Sequence, residues 1–175
     1  MENKIVLITG AAQGIGKETA LALAKDGYRL VIHGRNISKL QTVAEELAKT
    51  SGNDKIDIIC ADLFSLAETK SMADEFKRRF NRLDVLINNA GAFLNKHREI
   101  TGEGFEKTIT LNLFAPFLLM NSLLDILSKS ASARIINLSS AMHRRGGKPD
   151  FNDMQFEKNI PLQEHTVYPN CISYG

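Results

Sequence analysis

Apolar and polar positions follow two rhythms along this chain. Continuous apolar runs ended by Gly or Asn are separated by stretches in which apolar residues recur every three or four positions. Residues 4–10, KIVLITG, form a run without alternation, which predicts a strand covered on both faces. Ile15, Ala20, Leu23 and Ala24 then recur at helical spacing over residues 14–24, and Gly27 is a stop signal. RLVIH (29–33), KIDIIC (55–60), DVLI (84–87) and RIINL (134–138) read as four more strands. Between them, Ser38 with Gln41 and Ser65 with Glu68 have capping-box spacing, predicting helices to about 49 and about 80. Residues from about 104 to 128 are mostly helical in pattern, and the stretch after Ser140 is polar, rich in Gly and Pro, and reads as a long loop. Strands alternating with helical crossovers predict an α/β fold with a parallel sheet and helices on both faces.

Composition narrows the class. With 175 residues, 43% hydrophobic and 24% charged, the chain suits one soluble domain over residues 1–175. A net charge of +2 with no basic block argues against nucleic acid as a main partner. Cys60 and Cys171 lie too far apart in sequence for metal-type spacing, which fits a reducing, cytoplasmic setting. The apolar run at Ile5 to Ile8 is too short for a signal core. The run at 111–119 is interrupted by Asn112 and Pro116, so it reads as a buried helix segment and no membrane segment is expected.

TGAAQGIGKETA, residues 9–20, carries candidate chemistry. Gly10 permits a tight turn, Gly14 lets backbone approach a ligand, and Gly16 lets the following helix pack close to the strand. A helix N-terminus placed there offers free N–H groups to a pyrophosphate. The strand before and the helix after separate this motif from an ordinary glycine turn.

T-G-x-x-x-G-I-G followed by N-N-A-G at residues 88–91, and then a strand ending in serines, resembles the short-chain dehydrogenase/reductase family. The resemblance runs from Lys4 to Gly175. It implies a Rossmann-like doubly wound sheet in three α/β/α layers and a nicotinamide cofactor. It places Gln13 and Ile15 with the three glycines at the cofactor, Asp62 and Leu63 near the adenine, and Asn88, Asn89, Ala90 and Gly91 along the cofactor cleft. Asp62 could equally cap a turn. No acidic residue closes the second strand, and Arg35 stands where a guanidinium could hold a 2′-phosphate, with Lys17 as a second cation. These features favour NADP(H).

The same resemblance assigns a proton relay to Asn112, for which a satisfied buried amide is the alternative. It assigns the substrate carbonyl to Ser140, with Ser139 as the rival, and acid/base chemistry to Tyr174, opening a Y-x-x-x-K pattern. Tyr168 cannot open that pattern, because Ile172 falls four places on. The lysine would follow Gly175, so the 175 residues alone are expected to be catalytically incompetent and to expose a sheet edge where further strands belong. The stretch between Ser140 and Tyr174, 33 residues, is similar to an insertion of the retinol dehydrogenase-like branch, which acts on apolar alcohols and carbonyls. The expected function is alcohol–carbonyl oxidoreduction on a small molecule, with pairing into homo-oligomers through helices of a longer chain. A dinucleotide-binding protein without turnover is the rival.

Overall fold

The computed structural model describes residues 4–92, 94, 98–140 and 150–158. Tyr168, Cys171, Tyr174 and Gly175 lie outside the described residues. Five parallel strands, β1 (Ile5–Ile8), β2 (Arg29–Gly34), β3 (Ile56–Cys60), β4 (Val85–Asn88) and β5 (Arg134–Asn137), form one sheet in the order β3-β2-β1-β4-β5. The order reverses between β1 and β4, and in such sheets ligands bind outside the carboxyl ends at that switch point.

The unbroken apolar run of β1 has a direct packing cause. Val6 and Ile8 face one layer with Ala20, Ala24, Leu40, Val43 and Leu47, contributed by helices α1 (Gly14–Lys25) and α2 (Ile37–Ser51). Leu7 faces the opposite layer with Met72, Phe76, Leu119 and Leu123, from α3 (Leu66–Arg79) and α5 (Ala115–Leu127). Successive strand residues point to opposite faces, so both must be apolar when helices cover both.

Helix starts follow the local chemistry, with two corrections. Asn36, not Ser38, caps α2: its Oδ1 accepts from the Lys39 amide at 2.9 Å, while the Ser38 carbonyl accepts from the Thr42 hydroxyl inside the helix. Ser65 caps α3 as expected, accepting from the Glu68 amide at 3.2 Å. The Glu68 carboxylate does not complete the box; it accepts from the Asp62 amide at 2.8 Å. Glu103 also accepts from the amides of Leu66 and Ala67, both at 3.0 Å, closing the head of α3 from a distant loop.

The helix expected from residue 104 begins at α4 (Lys107–Ile109), widens into a π-helical turn at Thr110–Phe114, and continues as α5. Such widened turns concentrate at functional sites. Lys107–Leu127 is long and apolar enough to cross a membrane by length and composition. Its inner side supplies Leu111, Ala115, Leu119, Leu123, Ile126 and Leu127 to the core. Leu113, Phe117 and Leu124 are exposed, so the 111–119 run is buried on one side only. Among the described residues β5 is an outer strand, with Ile135, Ile136 and Leu138 exposed, as expected of an uncovered edge.

Candidate functional site

The glycine turn after β1 meets the NNAG segment after β4 at the switch point, and the two are locked by hydrogen bonds. The Thr9 hydroxyl accepts from the amides of Asn89 and Ala90, both at 3.0 Å. The Asn89 side-chain nitrogen donates to the carbonyls of Thr9 (2.8 Å) and Gly10 (3.0 Å). Three contacts explain the glycines. A β-carbon on Gly10, whose φ is +66°, would lie 2.8 Å from the Ala90 Cα. One on Gly16 would lie 2.4 Å from the Gly10 carbonyl oxygen, and one on Gly91 3.0 Å from Asn112 Oδ1.

Among the described residues the head of α1 is left open. Its N-cap Gln13 has extended backbone (φ −168°, ψ 171°) and puts no side-chain oxygen on the first-turn amides, and that turn holds no acid. The heads of α2 and α3 are closed by Asn36, Ser65 and Glu103. Unmet N–H groups and the positive end of the helix dipole suit a phosphate. Ile15, 66% exposed, projects its side chain into solvent beside these amides. A cleft of about 430 Å³ opens alongside, lined by Gln13, Gly14, Lys17, Lys39 and Glu46 among others.

The cations divide differently from the sequence expectation. Lys17 is paired with Glu46 across the α1–α2 groove, so its charge is already matched. Lys39 bonds the side chain of Gln13, the N-cap residue of α1. Arg35, exposed at the end of β2, rests its guanidinium over the Phe64 ring, 5.4 Å from the centroid. Asp62 makes a turn: Oδ1 accepts from the Phe64 amide at 3.0 Å. Leu63 buries its side chain in the core, leaving its backbone as the part that could face a ligand.

Asn112 lies in the π turn and is exposed, which overturns the expectation of a buried amide. Its side chain is still satisfied: Nδ2 donates to the Ala92 carbonyl (2.7 Å) and Oδ1 accepts from the Ala92 amide (3.2 Å). The amide thus clasps the turn that follows Gly91. On the neighbouring strand, Asn88 Nδ2 donates to Asn137 Oδ1 at 2.8 Å, and the Leu138 amide donates to the Asn88 carbonyl at 2.9 Å. This pairing sets the height at which Ser139 and Ser140 leave β5, on the same edge of the sheet as the glycine turn. Tyr174 lies outside the described residues.

Two residues of the site were given no role of their own from the sequence. Thr9 opens the motif and offers only a hydroxyl, which donates to the Ile87 carbonyl at 3.4 Å besides accepting from Asn89 and Ala90; these partners become visible when β1 and β4 are adjacent. His33 is 2% exposed, and burial pushes its imidazole down from 6.5 to about 4 despite the Ala61 carbonyl and the Asp62 charge, so the ring is neutral.

A family model described as short chain dehydrogenase matches residues 4–149. The chain belongs to the short-chain dehydrogenase family. Human retinol dehydrogenase 11 is 39% identical over 158 residues, which cover 90% of this chain and 49% of that protein, in line with the expected branch. The chain spans about half the length of the curated relatives it matches. Among solved structures, the NADP active-site complex of Pseudomonas aeruginosa RhlG is 34% identical with a TM-score of 0.68, covering 78% of this chain and 54% of that one. A short-chain dehydrogenase from Sphingobium yanoikuyae in complex with NADPH is 33% identical with a TM-score of 0.69, covering 79% and 54%. The family's doubly wound α/β fold is therefore the fold of this short-chain dehydrogenase chain.

Proposed function

We propose that this protein is an NADP(H)-dependent oxidoreductase that interconverts an alcohol and a carbonyl, working in the cytoplasm. One observation carries the reading: the uncapped head of α1 stands at the switch point, held by glycine contacts to the segment after β4. The first-turn amides of α1 would hold the pyrophosphate, and Ala90 and Gly91 would flank the ribose. Arg35 and Lys39 would receive the 2′-phosphate, Arg35 with its guanidinium already steadied on Phe64. When bound, the dinucleotide supplies or accepts the hydride.

The chain's own residues do the rest. The Ser140 hydroxyl, carried past β5 by the Asn88–Asn137 pairing, holds the substrate oxygen. The Tyr174 phenol exchanges the proton at that oxygen. Asn112 keeps the turn after Gly91 in place through Ala92. A retinoid- or lipid-like substrate is the finer part of the proposal. It is supported by the long stretch between Ser140 and Tyr174 and by relatives named retinol dehydrogenases.

The full gene product, incubated with NADPH and a panel of apolar and polar aldehydes and ketones, should oxidise NADPH fastest with the apolar ones. Tyr174→Phe should abolish turnover without weakening NADPH binding. Binding with no turnover on any carbonyl would leave a dinucleotide-binding protein instead. Cofactor choice is read from dissociation constants: NADPH should bind more tightly than NADH, and Arg35→Asp should erase the difference, a loss of about 1.5–3 kcal/mol for one charge-assisted contact. Equal affinities in the starting protein would refute the role of Arg35.

A further inference from the structure

Among the described residues His33 is a titratable side chain that touches both halves of the cradle, and neither the motif nor the chemistry above uses it. Its Nδ1 lies 3.3 Å from the Gly10 amide and its Nε2 lies 3.0 Å from the Ala61 carbonyl. An amide can only donate and a carbonyl can only accept, so the ring must accept at Nδ1 and donate at Nε2. The backbone repeats the link: the Ala11 amide donates to the His33 carbonyl at 2.9 Å, and the Ala61 amide to the Gly34 carbonyl at 3.2 Å. The charged group facing the ring is Asp62, on the segment after β3. Three strand ends therefore meet at one imidazole: the glycine turn of β1, β2 itself, and the residue that precedes Asp62.

We propose that His33 is a positioning residue for the dinucleotide, its neutral ring anchoring the Gly10 amide at one nitrogen and the Ala61 carbonyl at the other. Gly10 has a positive φ and touches Ala90, so its orientation sets where the following amides of α1 point. Ala61 sets where Asp62 and Leu63 stand beside the adenine side of the cleft. Strands whose ends are fixed to one rigid ring cannot drift independently, and a misplacement of about 1 Å at a phosphate cradle weakens every contact made there. The inference rests on the dinucleotide reading above.

The two arms can be cut separately. In His33→Asn the amide oxygen falls near the position of Nδ1 and can accept from Gly10, while the reach to Ala61 is lost. In His33→Gln the longer amide can donate to Ala61, while the acceptor for Gly10 is lost. Both variants should unfold at lower temperature. His33→Gln should also exchange its Gly10 amide hydrogen faster and bind NADPH about tenfold more weakly, whereas His33→Asn should keep Gly10 protected and bind within about twofold of the starting protein. Equal losses of affinity in the two variants, or native affinity and protection in His33→Gln, would overturn the assignment. The tautomer checks it without any substitution. Nitrogen shifts of the imidazole should show hydrogen on Nε2 and none on Nδ1, and hydrogen on Nδ1 would overturn it. Failure of the starting protein to bind NADPH would instead refute the function reading, and the Gly10 exchange contrast would still decide whether His33 anchors the turn.

Discussion

A single methyl group tests the glycine turn. At Gly16 the added carbon would meet the Gly10 carbonyl oxygen, a backbone atom, at 2.4 Å, and at 2.5 Å the Asn89 side-chain nitrogen, which could move only by giving up its bonds to Thr9 and Gly10. Gly16→Ala should therefore destabilise the fold by about 1–3 kcal/mol and sharply weaken NADPH binding, measured by denaturant unfolding and calorimetry. The residue type at this position was legible in the sequence because close helix–strand packing needs glycine. Its partner Asn89 was legible only as part of a motif, since its bonds to Thr9 and Gly10 span about eighty residues. His33 makes a second residue-scale prediction. Burial holds its folded pKa near 4, against an ordinary 6.5. Between those values the unfolded chain binds a proton that the folded chain does not, so stability should fall as pH drops through the window, by roughly 3 kcal/mol in full. Unfolding measured at steps from pH 7 down to pH 4 should show that slope, and His33→Gln should flatten it. An unchanged slope would remove His33 as its source.

Helix ends separate what local pattern can and cannot decide. Ser38 and Gln41 have capping-box spacing, yet the chain enters α2 two residues earlier, because Asn36 at the end of β2 already turns its side chain onto the Lys39 amide. Both candidates are good caps by type, and only the position where β2 releases the chain chooses between them. Asn36→Ala should cost about 1 kcal/mol and Ser38→Ala close to nothing in thermal unfolding. The reverse order would restore Ser38 as the cap. At α3 the pattern succeeded for Ser65 but could not foresee Glu103, which arrives from thirty-six residues away at Ala67. Hydrogen bonds from the Leu66 and Ala67 amides hold its carboxyl below the usual range, so its support of α3 is present near neutral pH and is lost as pH falls through that lowered value. The π turn at Thr110–Phe114 was hidden for a similar reason. Its sequence, TLNLF, is an ordinary helical run, and Asn112 leaves the helical rhythm because Ala92 is there to bind.

Over the whole molecule, the alternation of strands and helices was legible because strands covered on both faces require apolar runs; β1 shows that cover, and the run at 134–138 still marked β5 although its residues are exposed. Strand order was not legible from those runs; the family likeness implied a doubly wound sheet, and the observed order β3-β2-β1-β4-β5 puts the glycine turn beside NNAG. The open head of α1 at that reversal is the centre of the account. Its most direct test is a titration of the isotopically labelled chain with NADPH, following each backbone amide. The account predicts saturable shifts at Gly14, Ile15, Gly16, Ala90 and Gly91, with weaker saturation by NADH. Shifts confined to the opposite edge of the sheet, or none at these amides at saturating NADPH, would contradict it.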